Sequence, residues 1–347
     1  MEVSCFPWLA RLLAGDMDAA VHGLSHGTPD VAELTRFATA HQLGPLLFRR
    51  TDHPALQAML PNSLRQKWQE TYVRQWLAGE KLIGQLHRLQ QAFSNSGKEF
   101  VLLKGPCLAQ GFYGDLAQRK YEDIDLLVPA RLARPTLRWL NKEFKFPGGG
   151  LFHPLLARLT HAKSGMMGDL GVDLHWALRV HPSFSIDEAR VWKTRQPFNL
   201  PGAGCAVNVM SNEYALVLTL LEIFDDISRL EYSAKGFIDA FLILHTIDST
   251  MNWPGFFARR KTERLHRIVF DVLTMIVELF NARDVLPALT ANLAQQGPAE
   301  SRSLKIMLAP ASRLNGLWSY RLSLYDMPRP ISALHLLISG PLRTLLM

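Results

Sequence analysis

Three aspartates stand inside short apolar segments that have the character of buried strands. Asp123 and Asp125 flank Ile124 in one segment, and Asp173 lies between Val172 and Leu174 in another. Alternate residues of a strand share a face, so Asp123 and Asp125 are expected to point the same way. Two like charges on a mostly buried strand repel each other and are costly to desolvate. A divalent cation removes that cost, and carboxylate oxygens suit Mg²⁺. The pattern therefore predicts a metal site completed by Asp173.

Basic and glycine residues near these acids have the chemistry of phosphate binding. Lys104 and Gly105 follow the apolar run that begins at Phe100, and Arg119 precedes the acidic strand. Glycine lets a backbone approach a phosphate closely, while lysine and arginine neutralise its charge. Carboxylates that hold one or two metal ions beside such groups can support in-line phosphoryl or nucleotidyl transfer.

Three motifs in order resemble the polymerase-β-like nucleotidyltransferase superfamily, and specifically its bacterial branch called "nucleotidyltransferase family protein". They are Leu102-Leu103-Lys104-Gly105, Arg119 with Asp123-Ile124-Asp125-Leu126-Leu127-Val128, and Val172-Asp173-Leu174-His175-Trp176. The resemblance covers about residues 99–180. The chain departs from the wider superfamily at Pro106, where a second small residue usually follows the glycine and donates a backbone N–H.

The resemblance implies a set of roles for these residues. Asp123 and Asp125 would bind metal, and Asp173 would bind a second ion or help to deprotonate the acceptor. Lys104, Gly105 and Arg119 would lie along the nucleotide phosphates. The reaction implied is transfer of a nucleoside monophosphate from an NTP, with Mg²⁺ (or Mn²⁺), to a hydroxyl or phosphate. The acceptor would be a natural-product peptide, a sugar phosphate or another small molecule.

Other interpretations compete with these assignments. His161 and His175 are candidates for the acceptor side of the site, but a turn histidine and a structural histidine are the simpler interpretations. Arg119 would alternatively form a surface ion pair. The basic run from Arg259 to Arg267 is typical of a solvated helix face more than of a nucleic-acid patch. The competing function is a catalytically inactive scaffold with the same fold that binds RNA or a protein partner.

Hydrophobic periodicity predicts the elements that carry these residues. Strands are expected at 100–103, 124–128 and 171–176, with an amphipathic helix at 130–143 and a loop at 147–150. The segments before and after have helical spacing. We therefore predict an α+β fold with a central small mixed β-sheet nucleotidyltransferase domain between N- and C-terminal helical regions. The predicted domains are 1–95, 96–200 and 201–347, and the helical flanks are expected to form the acceptor side of the cleft.

Composition narrows the classes of protein that remain. The 347 residues are 48% hydrophobic, which excludes a disordered chain. The three cysteines (Cys5, Cys107 and Cys205) form no disulfide framework or metal knuckle, so a cytoplasmic protein is expected. Neither a signal peptide nor a membrane span is expected, because the apolar tail 331–347 is interrupted.

The basic excess is concentrated in one part of the chain. Residues 98–200 carry 15 basic and 10 acidic side chains, whereas the whole chain has a net charge of +7. This distribution favours a local phosphate site, and it ranks a nucleic-acid partner below a small-molecule or peptide acceptor.

Overall fold

The computed structural model describes residues 3–146, 161–179, 181, 183–202, 206–230, 233–297, 301–308 and 324–325. The predicted loop at 147–150, Cys205 and the tail 331–347 lie outside these ranges. The chain divides into two compact units. The first comprises Met1–Val180 and Glu188–Ala215, and the second comprises His181–Asp187 and Leu216–Met347.

A six-stranded mixed sheet forms the centre of the first unit. In chain order its strands are β1 (Val101–Leu102), β2 (Asp123–Leu127), β3 (Ala162–Met167), β4 (Leu170–His175), β5 (Gln196–Asn199) and β6 (Ala206–Val209). Their spatial order is β3-β4-β2-β1-β6-β5. The β1–β6 and β2–β4 pairs are parallel, and the other neighbours are antiparallel.

The strands predicted from apolar runs are present, and the predicted α+β class is confirmed. β1, β2 and β4 coincide with the three expected segments to within two residues at each end. The central strands are buried almost throughout, which explains why continuous apolar runs identify them. Strands β3 and β5 lie at the two edges of the sheet and are largely exposed. They therefore have no apolar pattern that would reveal them.

The first unit contains nine α-helices among its described residues. They are α1 (Cys5–Ala14), α2 (Met17–Ser25), α3 (Val31–Ala40), α4 (Gly44–Arg50), α5 (Pro54–Met59), α6 (Asn62–Asn95), α7 (Pro106–Leu108), α8 (Ala133–Phe144) and α9 (Glu188–Lys193). A π-helical turn (Ala109–Tyr113) follows α7, and a 3₁₀ turn (Ala130–Leu132) precedes α8. The 34-residue α6 is the longest helix, and it has a buried face with Trp68, Leu82 and Leu89 at seven-residue steps or multiples of seven.

The described part of the second unit is helical. Helix α10 (Asn212–Arg229) begins in the first unit and continues into the second, where α11 (Ala234–Ile247), α12 (Trp253–Thr262), α13 (His266–Leu279), α14 (Pro287–Gln296) and α15 (Arg302–Leu308) follow. Two buried aspartates cap helices here. Asp248 accepts hydrogen bonds from the backbone N–H groups of α14, and Asp271 accepts them from α15. None of the described helices is both long and apolar enough to cross a membrane.

The basic run from Arg259 to Arg267 covers the end of α12, the turn after it and the start of α13, and at Arg260 it differs from the expected solvated helix face. Arg260 is fully buried, lies 5.0 Å from the ring centre of Phe256, and pairs with Glu263 at 2.7 Å. Lys261, Arg264 and Arg267 are exposed as expected. Arg260 therefore contributes to the core of the second unit and adds no exposed charge.

Candidate metal and nucleotide site

The sheet aligns two of the predicted carboxylates. Strands β2 and β4 run parallel with Asp125 opposite Asp173 and Leu127 opposite His175. Alternate residues of a strand share a face, so Asp173 and His175 project from the same side of β4. The ligand atoms of Asp125, Asp173 and His175 all lie within 4.8 Å of one another. In the part of the chain that the structure describes, no other group of three His, Cys, Asp or Glu side chains brings its ligand atoms this close together.

Asp125 is buried and electrostatically stabilised. His175 Nε2 lies 3.1 Å from Asp125 Oδ1, and Lys104 Nζ lies 4.0 Å from the same oxygen. Burial alone would raise the pKa of Asp125. The hydrogen bond from His175 and the positive charges of Lys104 and Arg119 outweigh burial, so the net pKa is below its ordinary value. Asp125 is therefore a carboxylate at neutral pH, which is the form that binds a cation.

Asp123 occupies a different environment from Asp125. It begins β2 at an exposed position opposite Gly171, two residues before Asp125, and it is outside the group of three. A Cβ atom added at Gly171 would lie 3.3 Å from that of Asp123, so the glycine leaves room for the Asp123 side chain. The structure brings Asp125 and Asp173 together with His175, and it places Asp123 at the exposed end of the same strand.

Gly105 makes the sharp turn after β1. Its φ of 63° and ψ of −120° form a backbone conformation that residues with a side chain rarely adopt. Pro106 then occupies the first position of α7, where a backbone N–H is not needed for the helix. The Cys107 thiol lies 3.1 Å from the carbonyl oxygen of Lys104, and burial raises its pKa to about 12. Cys107 thus supports the turn, and its protonated thiol is a poor nucleophile.

Arg119 is almost fully buried, with 5% of its surface exposed. Its charge is close enough to lower the pKa of Asp125 and to oppose the rise in the pKa of Cys107 that burial causes. Asp115, an acidic residue four positions earlier, lies 3.7 Å from Arg49 and accepts a hydrogen bond from Tyr72. Arg119 therefore lies inside the site and not at the surface.

The two predicted histidines lie next to each other. The ring centres of His161 and His175 are 5.8 Å apart, and Arg179 Nη1 lies 3.3 Å from His161 Nε2. His175 Nδ1 is buried and has no hydrogen-bond partner among the described residues.

The donor set fits a hard divalent cation. Asp125 and Asp173 offer carboxylate oxygens from adjacent strands, which suit Mg²⁺ or Mn²⁺. The hydrogen bond from His175 holds Asp125 in place, as is usual for carboxylates that bind metals.

Two buried polar residues that line a cavity in the first unit were not identified from the sequence. Gln75 and Tyr121 are buried side chains that line a cavity between α6 and the segment before β2. The sequence does contain one indication for Gln75: it is a polar residue at a core position of the seven-residue series Trp68, Gln75, Leu82 and Leu89. Tyr121 stands between Arg119 and Asp123, but nothing in its own residue type distinguishes it from a core aromatic.

One comparison with known proteins, a family model, agrees with the residue pattern. Residues 27–281 match the model of a family described as "uncharacterised nucleotidyltransferase". No functionally curated protein shows significant similarity to the chain. Among solved structures, an antigenic nucleotidyltransferase-like protein from Paracoccidioides brasiliensis matches with 15% identity and a TM-score of 0.36. That match covers 60% of this chain and 92% of the other.

Proposed function

Because this chain belongs to the family of uncharacterised nucleotidyltransferases, we propose that it is a divalent-metal-dependent enzyme of the polymerase-β-like type. It would transfer a nucleoside monophosphate from an NTP to a hydroxyl or phosphate of a small-molecule or peptide acceptor. The observation that carries the proposal is the pairing of Asp125 with Asp173 on neighbouring parallel strands, with His175 within 4.8 Å.

The residues divide into metal-binding and phosphate-binding groups. Asp125 and Asp173 would hold the metal, and Asp123 would add a carboxylate from the exposed end of β2. When bound, Mg²⁺ or Mn²⁺ would neutralise the phosphates and activate the attacking oxygen. Lys104 and Arg119 would neutralise phosphate charge, while the turn at Gly105 would let the backbone approach the nucleotide.

The reaction requires one bond to form and one to break at the α-phosphorus. An acceptor oxygen would bond to that phosphorus, and the bond to the bridging oxygen would break to release pyrophosphate. Where the acceptor is a hydroxyl, Asp173 would accept its proton. His161 and His175 would lie on the acceptor side of the site.

A binding experiment tests the proposal without knowledge of the acceptor. Each NTP is added to the protein with Mg²⁺, with Mn²⁺ or with EDTA, and the melting temperature is measured. A ligand that binds only the folded state raises that temperature, so we expect at least one NTP to stabilise the protein in a metal-dependent way. Asp125→Asn and Asp173→Asn should lose the metal-dependent increment, because an amide binds a cation far less well than a carboxylate.

Asp18→Asn is the matched control, since Asp18 is an exposed residue on α2 in the same unit. It should behave as the unsubstituted protein does. Stabilisation that is unchanged by EDTA or by the Asp125→Asn and Asp173→Asn pair would contradict the metal assignment. In that case the result would favour the inactive scaffold.

A further inference from the structure

The edge strand β3 borders the carboxylate pair on the side away from β1 and the Lys104 turn. In the spatial order β3-β4-β2-β1, Asp173 of β4 lies between Asp125 of β2 and the residues of β3. Ser164 is the register partner of Asp173 in β3, just as Asp125 is its partner in β2. Directly opposed residues of neighbouring strands share a face of the sheet, with Cβ atoms about 4.5–5.5 Å apart. Ser164 therefore lies next to Asp173 on the face that carries the two carboxylates.

Three residues of β3 face the same side as the carboxylates, because they are opposite alternate residues of β4 from Gly171 to His175. They are Ala162, Ser164 and Met166. Lys163 alternates with them and faces the other side of the sheet. The carboxylate face of β3 is therefore uncharged.

Met166 is an apolar side chain exposed to solvent beside these charged groups. Its exposed fraction is 54%, and no other large apolar residue of the described strands is exposed to this extent. Gly171 lies between Met166 and Asp123 in the register of the sheet. Because glycine has no side chain, Met166 and Asp123 border a gap about 10 Å wide, which is twice the spacing between neighbouring strands. A ring or an aliphatic group has room to lie there against the flexible methionine.

The two sides of the carboxylate pair differ in charge. On the β1 side, Lys104 Nζ lies 4.0 Å from Asp125 Oδ1, and the charge of Arg119 acts on the same carboxylate. On the other side, β3 presents methyl, hydroxyl and thioether groups. Arg179 contacts His161, which precedes the first residue of β3, and about 13 Å of strand separate that first residue from Met166. Lysine and arginine bind phosphate groups, so phosphates are expected on the β1 side and an uncharged group beside Met166.

We propose that the carboxylate face of β3 is the acceptor subsite, and that the acceptor carries its hydroxyl on an uncharged, apolar body such as the tyrosine side chain of a peptide. This inference rests on the proposed function and narrows its acceptor to the peptide class, because a sugar phosphate would place a dianion against β3. Ser164 binds the acceptor hydroxyl beside Asp173, and Met166 packs against the ring. The two residues are about 7 Å apart along the strand, which is comparable to the length of a tyrosine side chain.

The chemical step is the one already proposed, with the acceptor now on the β3 side. The hydroxyl oxygen of the acceptor forms a bond to the α-phosphorus of the NTP, and the bond from that phosphorus to pyrophosphate breaks. The hydroxyl proton passes to Asp173, the carboxylate next to Ser164.

Titration followed by saturation-transfer NMR tests the proposal with N-acetyl-tyrosinamide, in the presence of Mg²⁺ and without nucleotide. This probe carries the hydroxyl and the ring but no charge. Glucose 6-phosphate is the comparison, because it carries hydroxyl groups and a dianion. We expect the tyrosine probe to bind at least about tenfold more tightly than the sugar phosphate. Absence of binding by the tyrosine probe, or binding of the sugar phosphate that is as tight or tighter, would overturn the proposal.

Met166→Lys changes the character of the subsite without replacing a buried group. Because Met166 is exposed, the variant should keep its melting temperature. Its affinity for the tyrosine probe should fall about tenfold, as expected when roughly half of a methionine side chain loses an apolar contact. Leu77→Lys is the matched control, since Leu77 is 56% exposed on α6 of the same unit and lies outside the sheet. It should leave the affinity unchanged, and equal effects of the two substitutions would contradict the role of Met166.

Ser164→Ala tests the group that binds the acceptor hydroxyl. N-acetyl-phenylalaninamide lacks this hydroxyl, so the unsubstituted protein should bind it less tightly than the tyrosine probe. Ser164→Ala should remove the difference between the two probes and leave the melting temperature unchanged, because Ser164 is an exposed residue of an edge strand. If the variant still prefers the tyrosine probe as strongly, Ser164 does not bind the hydroxyl.

The two proposals fail in different ways, because binding of the tyrosine probe is measured without an NTP. If the probe binds through Met166 but no NTP shows metal-dependent stabilisation, the apolar subsite stands and its assignment to an acceptor is wrong. If NTPs stabilise the protein as expected but the probe does not bind, the β3 proposal alone is wrong.

Discussion

Opposing effects act on the carboxylate of Asp125. Burial opposes its ionisation, whereas His175, Lys104 and Arg119 favour it strongly enough to lower the pKa. A structural ion pair would meet this description, but Asp173 adds a second carboxylate opposite Asp125. Adjacent carboxylates repel each other, so a divalent cation between them would stabilise their charged forms more than the single charge of Lys104 does. This local electrostatic balance is the reason that we propose a metal ion between β2 and β4.

Gly105 provides a test of the turn that presents Lys104. Gly105→Ala should destabilise the protein by about 1–3 kcal/mol, because the backbone there has a φ of 63° and the new Cβ would lie 3.4 Å from the Asp123 carbonyl oxygen. Gly84→Ala is the matched control on α6, where a Cβ would meet nothing within 4 Å. It should stabilise the helix by about 0.5–1 kcal/mol.

Urea denaturation followed by circular dichroism measures both effects. A Gly105→Ala variant as stable as the Gly84→Ala variant would show that the turn tolerates a side chain. It would also mean that backbone conformation is not the reason for a glycine at the proposed phosphate-binding turn.

At the scale of elements, the second unit depends on buried helix caps. Asp248 Oδ2 accepts a hydrogen bond of 2.9 Å from Ala288 N–H, and its Oδ1 accepts one of 2.7 Å from Leu289 N–H. Asp248→Ala should therefore lower the free energy of unfolding by about 2 kcal/mol, at the upper end for a helix cap, because two backbone donors lose a buried partner.

Ser233→Ala is the comparison within the same unit. Ser233 caps α11 through one exposed bond of 3.3 Å to Lys235 N–H, so its loss should cost less than about 1 kcal/mol. Denaturation curves of the two variants measure the difference. Equal losses of stability would mean that burial of the Asp248 cap has no energetic importance.

The elements also show which parts of this fold the sequence can predict. In strands β2 and β4, buried apolar residues flank Asp125 and Asp173. An apolar run that is interrupted by an aspartate therefore identifies both the strand and a candidate metal ligand. The opposite positions of Asp125 and Asp173 depend on strand pairing, which one sequence does not reveal. The sequence also does not predict that Arg260 is buried. A run of basic residues has the same pattern whether its side chains are solvated or, like Arg260, packed against an aromatic ring and a glutamate.

At the scale of the whole molecule, the chemistry is concentrated in the first unit. All six strands, the group of three and the cavity belong to it. Most of the chain's positive excess also lies between residues 98 and 200, which contain Lys104, Arg119 and Lys120. A protein that coats RNA needs many phosphate contacts along its surface. The concentration of charge therefore favours a small anionic substrate over a polyanion.

The predicted end of the nucleotidyltransferase domain at residue 200 stays a prediction, and the sheet provides a test of it. Strand β6 begins at Ala206 and pairs with both β1 and β5. A fragment of residues 1–200 would lose β6, which leaves β5 without its partner and one edge of β1 unpaired. Unpaired strand edges promote aggregation. A fragment of residues 1–215, which extends to the last residue of the first unit, retains this strand.

We expect the 1–215 fragment to be more soluble than the 1–200 fragment and to unfold more cooperatively. Size-exclusion chromatography and thermal denaturation followed by circular dichroism measure these properties. The two fragments differ by 15 residues, so the comparison isolates β6 and its flanking segments. If both fragments were monomeric with the same melting temperature, β6 would be dispensable and the domain would end near residue 200. If only the longer one folds, the sheet needs the strand beyond residue 200 to hold β1 and the Lys104 turn in place.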